Sequence, residues 1–190
     1  MTYYKDRDYL NNKGHRILDF PSDYTVIDTE TTGLMPEHCQ IIELSAIKVR
    51  NDEIVDTYSR LVNPGITVEP FICELTGISN EMLCDQKGIE EVLPSFLEFV
   101  GNDYIMGHNV TFDINFINSD TTRYYGMIFN NDYLDTMLIS RKIWKEERHH
   151  RLADLIDRCG LEGKQEHRGL SDCMYTYKAY LYMKDKIENK

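Results

Sequence analysis

VIDTETTGL, residues 26–34, decides how the rest of the chain is read. Residues 24–28 are rich in β-formers and fit a strand. Two acids, Asp28 and Glu30, close that run. On a strand, residues i and i+2 project to the same face. The two carboxylates therefore point together, and like charges held close repel, more so out of water. Either one is protonated or a cation lies between them. Ligands that are all oxygen suit Mg²⁺ or Mn²⁺, with waters and phosphate completing the shell. A lone D-x-E is read more simply as a loop cap followed by an exposed Glu, so further acids at element ends are needed.

The pattern outward from this strand is mixed α/β. Residues 41–49 (IIELSAIKV) and 54–62 (IVDTYSRLV) read as two more strands. The turn RNDE between them makes those two antiparallel, and NPG (63–65) ends the second. The period then changes. Apolar residues at 89, 92, 93, 96, 97 and 100 form a helical stripe. YIMGHN (104–109) is a short buried strand, and 111–119 is helical. Residues 132–144 are a short strand entering a helix with Asp135 as N-cap. A helix over 151–160 stops at Gly160, and a long amphipathic helix covers 170–187. The order predicts an α/β domain with a mixed sheet flanked by helices over residues 23–190. Residues 1–22 are expected to be a polar extension, at best partly ordered or packed on the outside.

The further acids lie at comparable places. GHNVTFD ends in Asp113, in the first turn of a helix that Thr111 could cap. HRGLSD ends in Asp172, again in a first helical turn. His167 precedes Asp172 by five residues, which on a helix would be about 140° away. It therefore belongs to the lead-in loop, where a histidine with an ordinary pKa near 6.5 suits a general base. Each of these residues alone also has a plain reading, as a first-turn acid or a surface histidine.

The ordered set is more specific than its members. D-x-E at a strand end, then GHNxxFD, then HxxxxD on a late helix resembles the three motifs of the DEDDh 3′–5′ exonucleases, which have a ribonuclease H-like fold with a five-stranded sheet. ELTGIS (74–79), DTMLISR and HRLADLIDRCG resemble further segments of that family, so the likeness covers residues 23–185. It is similar in particular to the proofreading epsilon subunit and the PolC-type exonuclease regions of bacterial DNA polymerase III. The resemblance implies two divalent cations, Mg²⁺ or Mn²⁺, on Asp28, Glu30, Asp113 and Asp172, with His167 as general base. It implies hydrolysis of the terminal phosphodiester at a 3′ end, with release of nucleoside 5′-monophosphates. It also implies substrate contacts at Thr31 (backbone), Leu34, Leu75, Thr76 and Phe112. Two positions depart from the family's usual alanines, Gly169 after the HR pair and Cys173 after the last acid.

Composition limits the alternatives. The net charge of −11 argues against tight, sequence-independent grip on a duplex. It leaves room for a metal-assisted site that holds only a strand end, because bound cations add local positive charge. Residues 141–151 hold five Lys/Arg, two Glu and two His around Trp144, a solvated helix end or a guide for single strands. Five scattered cysteines without a CxxC pair point to reduced thiols. No apolar run is long enough for a membrane span, and residues 1–16 lack a signal-peptide core. A cytoplasmic enzyme is expected, acting on a nucleic acid 3′ end with DNA favoured over RNA. The chain has no polymerase region, so it is expected to stand alone or to dock on a replicative polymerase by its surface. The competing readings are an RNA or short-oligonucleotide exonuclease and an inactive, nuclease-like binding module.

Overall fold

A computed structural model describes residues 13–189. Three strands come first: β1 (Tyr24–Thr31), β2 (Ile41–Arg50) and β3 (Glu53–Leu61), joined as an antiparallel meander. Arg50 pairs with Glu53, which leaves Asn51 and Asp52 as a two-residue turn. Both have positive φ, 52° and 61°, as a type I′ hairpin requires. Two short strands, β4 (Ile105–Gly107) and β5 (Tyr133–Asp135), add to β1 in parallel. The five-stranded mixed sheet has the order β3-β2-β1-β4-β5.

The helices among the described residues, in chain order, are α1 (Pro70–Thr76), α2 (Asn80–Leu83), α3 (Ile89–Val100), α4 (Thr111–Tyr125), α5 (Thr136–Ile143), α6 (Leu152–Arg158) and α7 (Gly169–Glu188). The alternation of β1 sorts them into layers. Ile27 points into one core with Leu93 and Phe96 of α3 and Phe116 and Ile117 of α4. Tyr24 and Val26 point the other way, into a core with Met106, Leu134 and Tyr180 of α7. The same parity sends Asp28 and Glu30 to the α7 side. The site is thus set by strand phase before any side chain packs.

Pro94 lies inside α3 and cannot donate to the carbonyl of Glu90. The Tyr125 hydroxyl donates to that carbonyl instead, tying α4 to α3.

Two features add to the expectation. The segment after NPG contains two short helices, α1 and α2. Pro70 opens α1 and Gly77, at φ 69°, closes it, while the Ser79 hydroxyl caps α2. Residues 13–22 are also pinned to the sheet edge. Ile17 N–H donates to Tyr133 O and Tyr133 N–H to His15 O, both at 2.9 Å. Phe20 stacks on Tyr180 at 6.0 Å, and the Tyr180 hydroxyl donates to Pro21 O at 2.8 Å. This stretch covers the β5 edge, which would otherwise offer open hydrogen-bonding groups. The earlier part of the expected extension lies outside the described residues. No helix among the described residues is long and apolar enough to cross a membrane.

Candidate active site

The C-terminal half of β1 carries Asp28 and Glu30, and the first turn of α7 brings Asp172 to them. One carboxylate oxygen from each lies within 4.8 Å of the others. Small side chains on α7 make this approach possible. A Cβ at Gly169 would lie 2.6 Å from Ser45 Oγ and 2.7 Å from Ser45 Cβ. One turn on, the buried Cys173 thiol lies 3.8 Å from the carbonyls of Val26 and Ser45. Gly169 and Cys173, the two departures from the family pattern, are the residues on which the helix rests against β1 and β2.

Asp113 arrives from the opposite layer. It sits in the first turn of α4, and its Oδ1 accepts from Thr29 N at 2.9 Å and Thr29 Oγ1 at 2.8 Å. The β4–α4 turn places it. At Gly107 a Cβ would meet Val110 Cγ2 at 2.6 Å and Ile27 O at 3.1 Å, so only glycine fits. Asn109 takes φ 62° and donates its N–H to Asp135 Oδ1 at 3.1 Å. Asp135 also accepts from Met137 N at 2.9 Å, the N-cap expected of it. His108 bonds Thr136 Oγ1 through Nδ1 at 3.0 Å, and burial pushes its pKa down to about 4. His108 and Asn109 hold the turn.

The electrostatics of the acids are those of unneutralised charge. Burial raises the Asp28 pKa well above the usual range, and Asp113, Glu30 and Asp172 push it further. Burial, then Asp172, Glu43 and Asp113, raise Glu30 to about 8, with Arg168 opposing. Burial raises Asp113 to about 7 against the two bonds from Thr29. Burial raises Asp172 too, opposed by hydrogen bonds from Gln165 and Glu166 N–H and by His167. No donor bonds Asp28 or Glu30 among the described residues. A half-buried to buried donor set made only of carboxylates, without lysine or arginine bonded to its two β1 members, fits a hard divalent cation.

His167 is half-buried in the loop before α7, at φ 51°, where a non-glycine residue is strained. Among the expected substrate residues, Thr31 is buried with its hydroxyl donating to Gly33 O at 2.7 Å. Leu34 is 81% exposed beside the acid-bearing strand end, so it does not pack in the core. Leu75 is exposed, whereas Phe112 is half-buried with its ring 5.0 Å from that of Phe116. Thr76 is buried, and its hydroxyl donates to Ile72 O and accepts from Ile78 N. It closes α1 and presents no free hydroxyl to a pocket.

Within the basic stretch, Trp144 packs on the α6–α7 core with Lys186 and Arg158 over its ring at 5.2 and 5.9 Å. His150 is buried and bonded to Ser140 Oγ at 2.8 Å. Both are packing residues. All five cysteines are free. A buried acid next to the site escaped sequence reasoning: Glu43 on β2, the direct cross-strand partner of Glu30. Its only signal was a charge in an otherwise apolar strand start, IIEL.

Comparison with known proteins identifies the family. The sequence pattern of the RNase T exonuclease family matches residues 25–180. The chain is 38% identical over 164 residues to the DNA polymerase III epsilon subunit of Aquifex aeolicus, covering 86% of this chain and 81% of that protein. It is 37% identical over 175 residues to the PolC-type DNA polymerase III of Caldanaerobacter subterraneus subsp. tengcongensis, covering 92% of this chain but 12% of that polymerase. Exonuclease X in complex with 5′-overhanging duplex DNA superposes with a TM-score of 0.67 at 26% identity, over 88% of this chain and 93% of that one. E. coli exonuclease I with a dA16 oligonucleotide gives 0.72 at 17% identity, over 87% and 41%, a likeness of fold. The chain belongs to the exonuclease family, as a 3′–5′ exonuclease of the metal-dependent kind with the ribonuclease H-like fold.

Proposed function

We propose that this 3′–5′ exonuclease acts on DNA, at single-stranded or frayed 3′ ends, and releases nucleoside 5′-monophosphates. The observation that carries the proposal is the meeting of Asp28, Glu30 and Asp172 oxygens within 4.8 Å, with Asp113 tied to the same strand through Thr29. These four carboxylates would hold two Mg²⁺ or Mn²⁺ ions. Such ions supply a more acidic water and charge stabilisation at phosphorus.

The chain's own residues do the rest. A ring nitrogen of His167 would take the proton from the attacking water, since its loop leads into the helical turn that carries Asp172. The exposed Leu34 and Leu75 side chains and the half-buried Phe112 ring would give the terminal nucleotide apolar surfaces to pack on. The Thr31 backbone, at the bulge that ends β1 pairing, would take the terminal 3′-OH. Thr76, buried at the end of α1, would act on the substrate only by holding that helix in place. Apolar contacts of this kind tolerate any base, as an end-processing enzyme needs.

A proofreading or repair role, surface docking on a replicative polymerase and a cytoplasmic location are part of the same proposal. The similarity to epsilon subunits supports them. In the proposal, residues 23–190 form the exonuclease domain and 1–22 its leading segment.

The test is parallel digestion of single-stranded DNA, mismatched duplex and RNA, with Mn²⁺ and with chelator. Cation-dependent release of mononucleotides from DNA, fastest at unpaired ends, is expected. Faster digestion of RNA would assign the site to RNA. No release from any strand would favour a binding module.

A further inference from the structure

We propose that Glu43 is a positioning residue of the active site, acting through Arg168 and Gly169 on His167 and Asp172. The proposal rests on the exonuclease reading of that site.

Glu43 is 1% exposed, yet it is saturated with donors. Its Oε2 accepts from Gly169 N at 3.0 Å and from Arg168 Nε at 3.3 Å. Its Oε1 accepts from an Arg168 terminal nitrogen at 3.3 Å and from Ser59 Oγ at 3.2 Å. The two-pronged grip on arginine is geometrically specific.

The bond to Gly169 N has a structural meaning. Gly169 is the first residue of α7, and the first N–H groups of a helix have no partner within it. Residue 168, the N-cap, makes no side-chain cap bond. Glu43 supplies the cap from a strand 126 positions away in sequence, and its negative charge suits the helix N-terminus. The start of α7 is thereby locked to β2.

That lock falls where the chemistry needs it. Glu30 and Glu43 face each other in the β1–β2 register. One strand pair thus carries a proposed metal ligand and the clamp for another, because Asp172 lies in the turn that Glu43 caps. His167 directly precedes the clamped Arg168. On its other side, Gln165 Nε2 donates to Asp172 Oδ2 at 2.7 Å. A strained left-handed residue persists where its surroundings over-determine it, and His167 is held from both flanks.

The experiment compares wild type with Glu43→Ala and Glu43→Gln on a single-stranded DNA oligonucleotide. It also measures amide hydrogen exchange over residues 163–173 in the protein without added cation. Glu43→Ala is expected to lower kcat about 100-fold, the usual scale for groups misplaced by an ångström, with KM within about threefold of wild type. Exchange over 163–173 should rise while the β1 and α4 amides stay protected. Glu43→Gln keeps an acceptor for Gly169 N and should recover part of both. Wild-type kcat and unchanged exchange in a folded Glu43→Ala protein would overturn the proposal. If Glu43→Ala does not fold, Glu43→Gln decides on the same two readouts, and wild-type behaviour in both overturns it. A wild type that releases no nucleotides would defeat the exonuclease reading, while the exchange result would still judge the clamp.

Discussion

The two ends of β1 treat acids in opposite ways. At its start, Asp103 accepts from Thr25 Oγ1 at 2.7 Å, and Arg50 reaches both its oxygens at 2.8 Å. At its end, Asp28 and Glu30 share a pocket with Asp172, and among the described residues no donor bonds either β1 acid. The sheet is the same and the strand is the same. Where an acid serves only the fold, the chain supplies a cation and a hydroxyl. Where it withholds them, the acids hold their protons well above the ordinary range. Perturbed carboxylates gathered at an accessible strand end are a mark of function.

The largest expected effect is at the unneutralised end. Asp28→Ala should reduce nucleotide release by about 10³-fold or more, as several kcal/mol of charge stabilisation are lost. Single-turnover digestion of single-stranded DNA measures it, and persistence of the activity would place the chemistry elsewhere. His167→Ala should cost about 10²–10⁴-fold, the scale of a lost general base, without weakening cation binding. Kinetics paired with Mn²⁺ titration separate these two roles.

Stability effects are smaller and reverse the usual direction. Without added cation at pH 8, Asp28→Asn should stabilise the protein by about 1 kcal/mol, because it removes like-charge repulsion and leaves the fold intact. That corresponds to a rise of roughly 2–4 °C in Tm. Arg50→Ala at the satisfied end should do the opposite, a loss of about 1 kcal/mol with wild-type kcat. If both substitutions moved Tm the same way, the contrast between the two ends would fail.

The sequence already showed one side of this contrast. The D-x-E pair, Asp113 and Asp172 were legible because strand parity and first-turn positions are local properties. The hairpin at Asn51 and Asp52 was legible for the same reason. Helices α1 and α2 were not read, since seven and four residues are too few to display a period. Their punctuation, Pro70, Gly77 and Ser79, was present and would have marked them. Glu43 was illegible because its meaning depends on residues 168 and 169, brought to it only by the fold. That Asp113 enters from the opposite layer, and that Thr76 spends its hydroxyl on its own helix, are likewise facts of tertiary packing.

The pH dependence of cation binding tests the central claim most directly. Burial raises Glu30 to about 8 and Asp113 to about 7 in the fold, against ordinary values of 4.5 and 3.8. The stability from these raised groups is full below about pH 4 and lost as pH climbs through 7–8. His108 has the opposite sign: its contribution is present above pH 6.5 and lost as pH falls through about 4. The range from 6.5 to 8 therefore isolates the acids. The measurement is Tm of wild type and Asp28→Asn across that range, with and without Mn²⁺. Wild type should lose stability towards pH 8 without cation and regain it with Mn²⁺, by an increment that grows with pH, and Asp28→Asn should lose most of that increment. An equal Mn²⁺ shift in both proteins, or none in wild type, would contradict the assignment of the β1 end as the cation site.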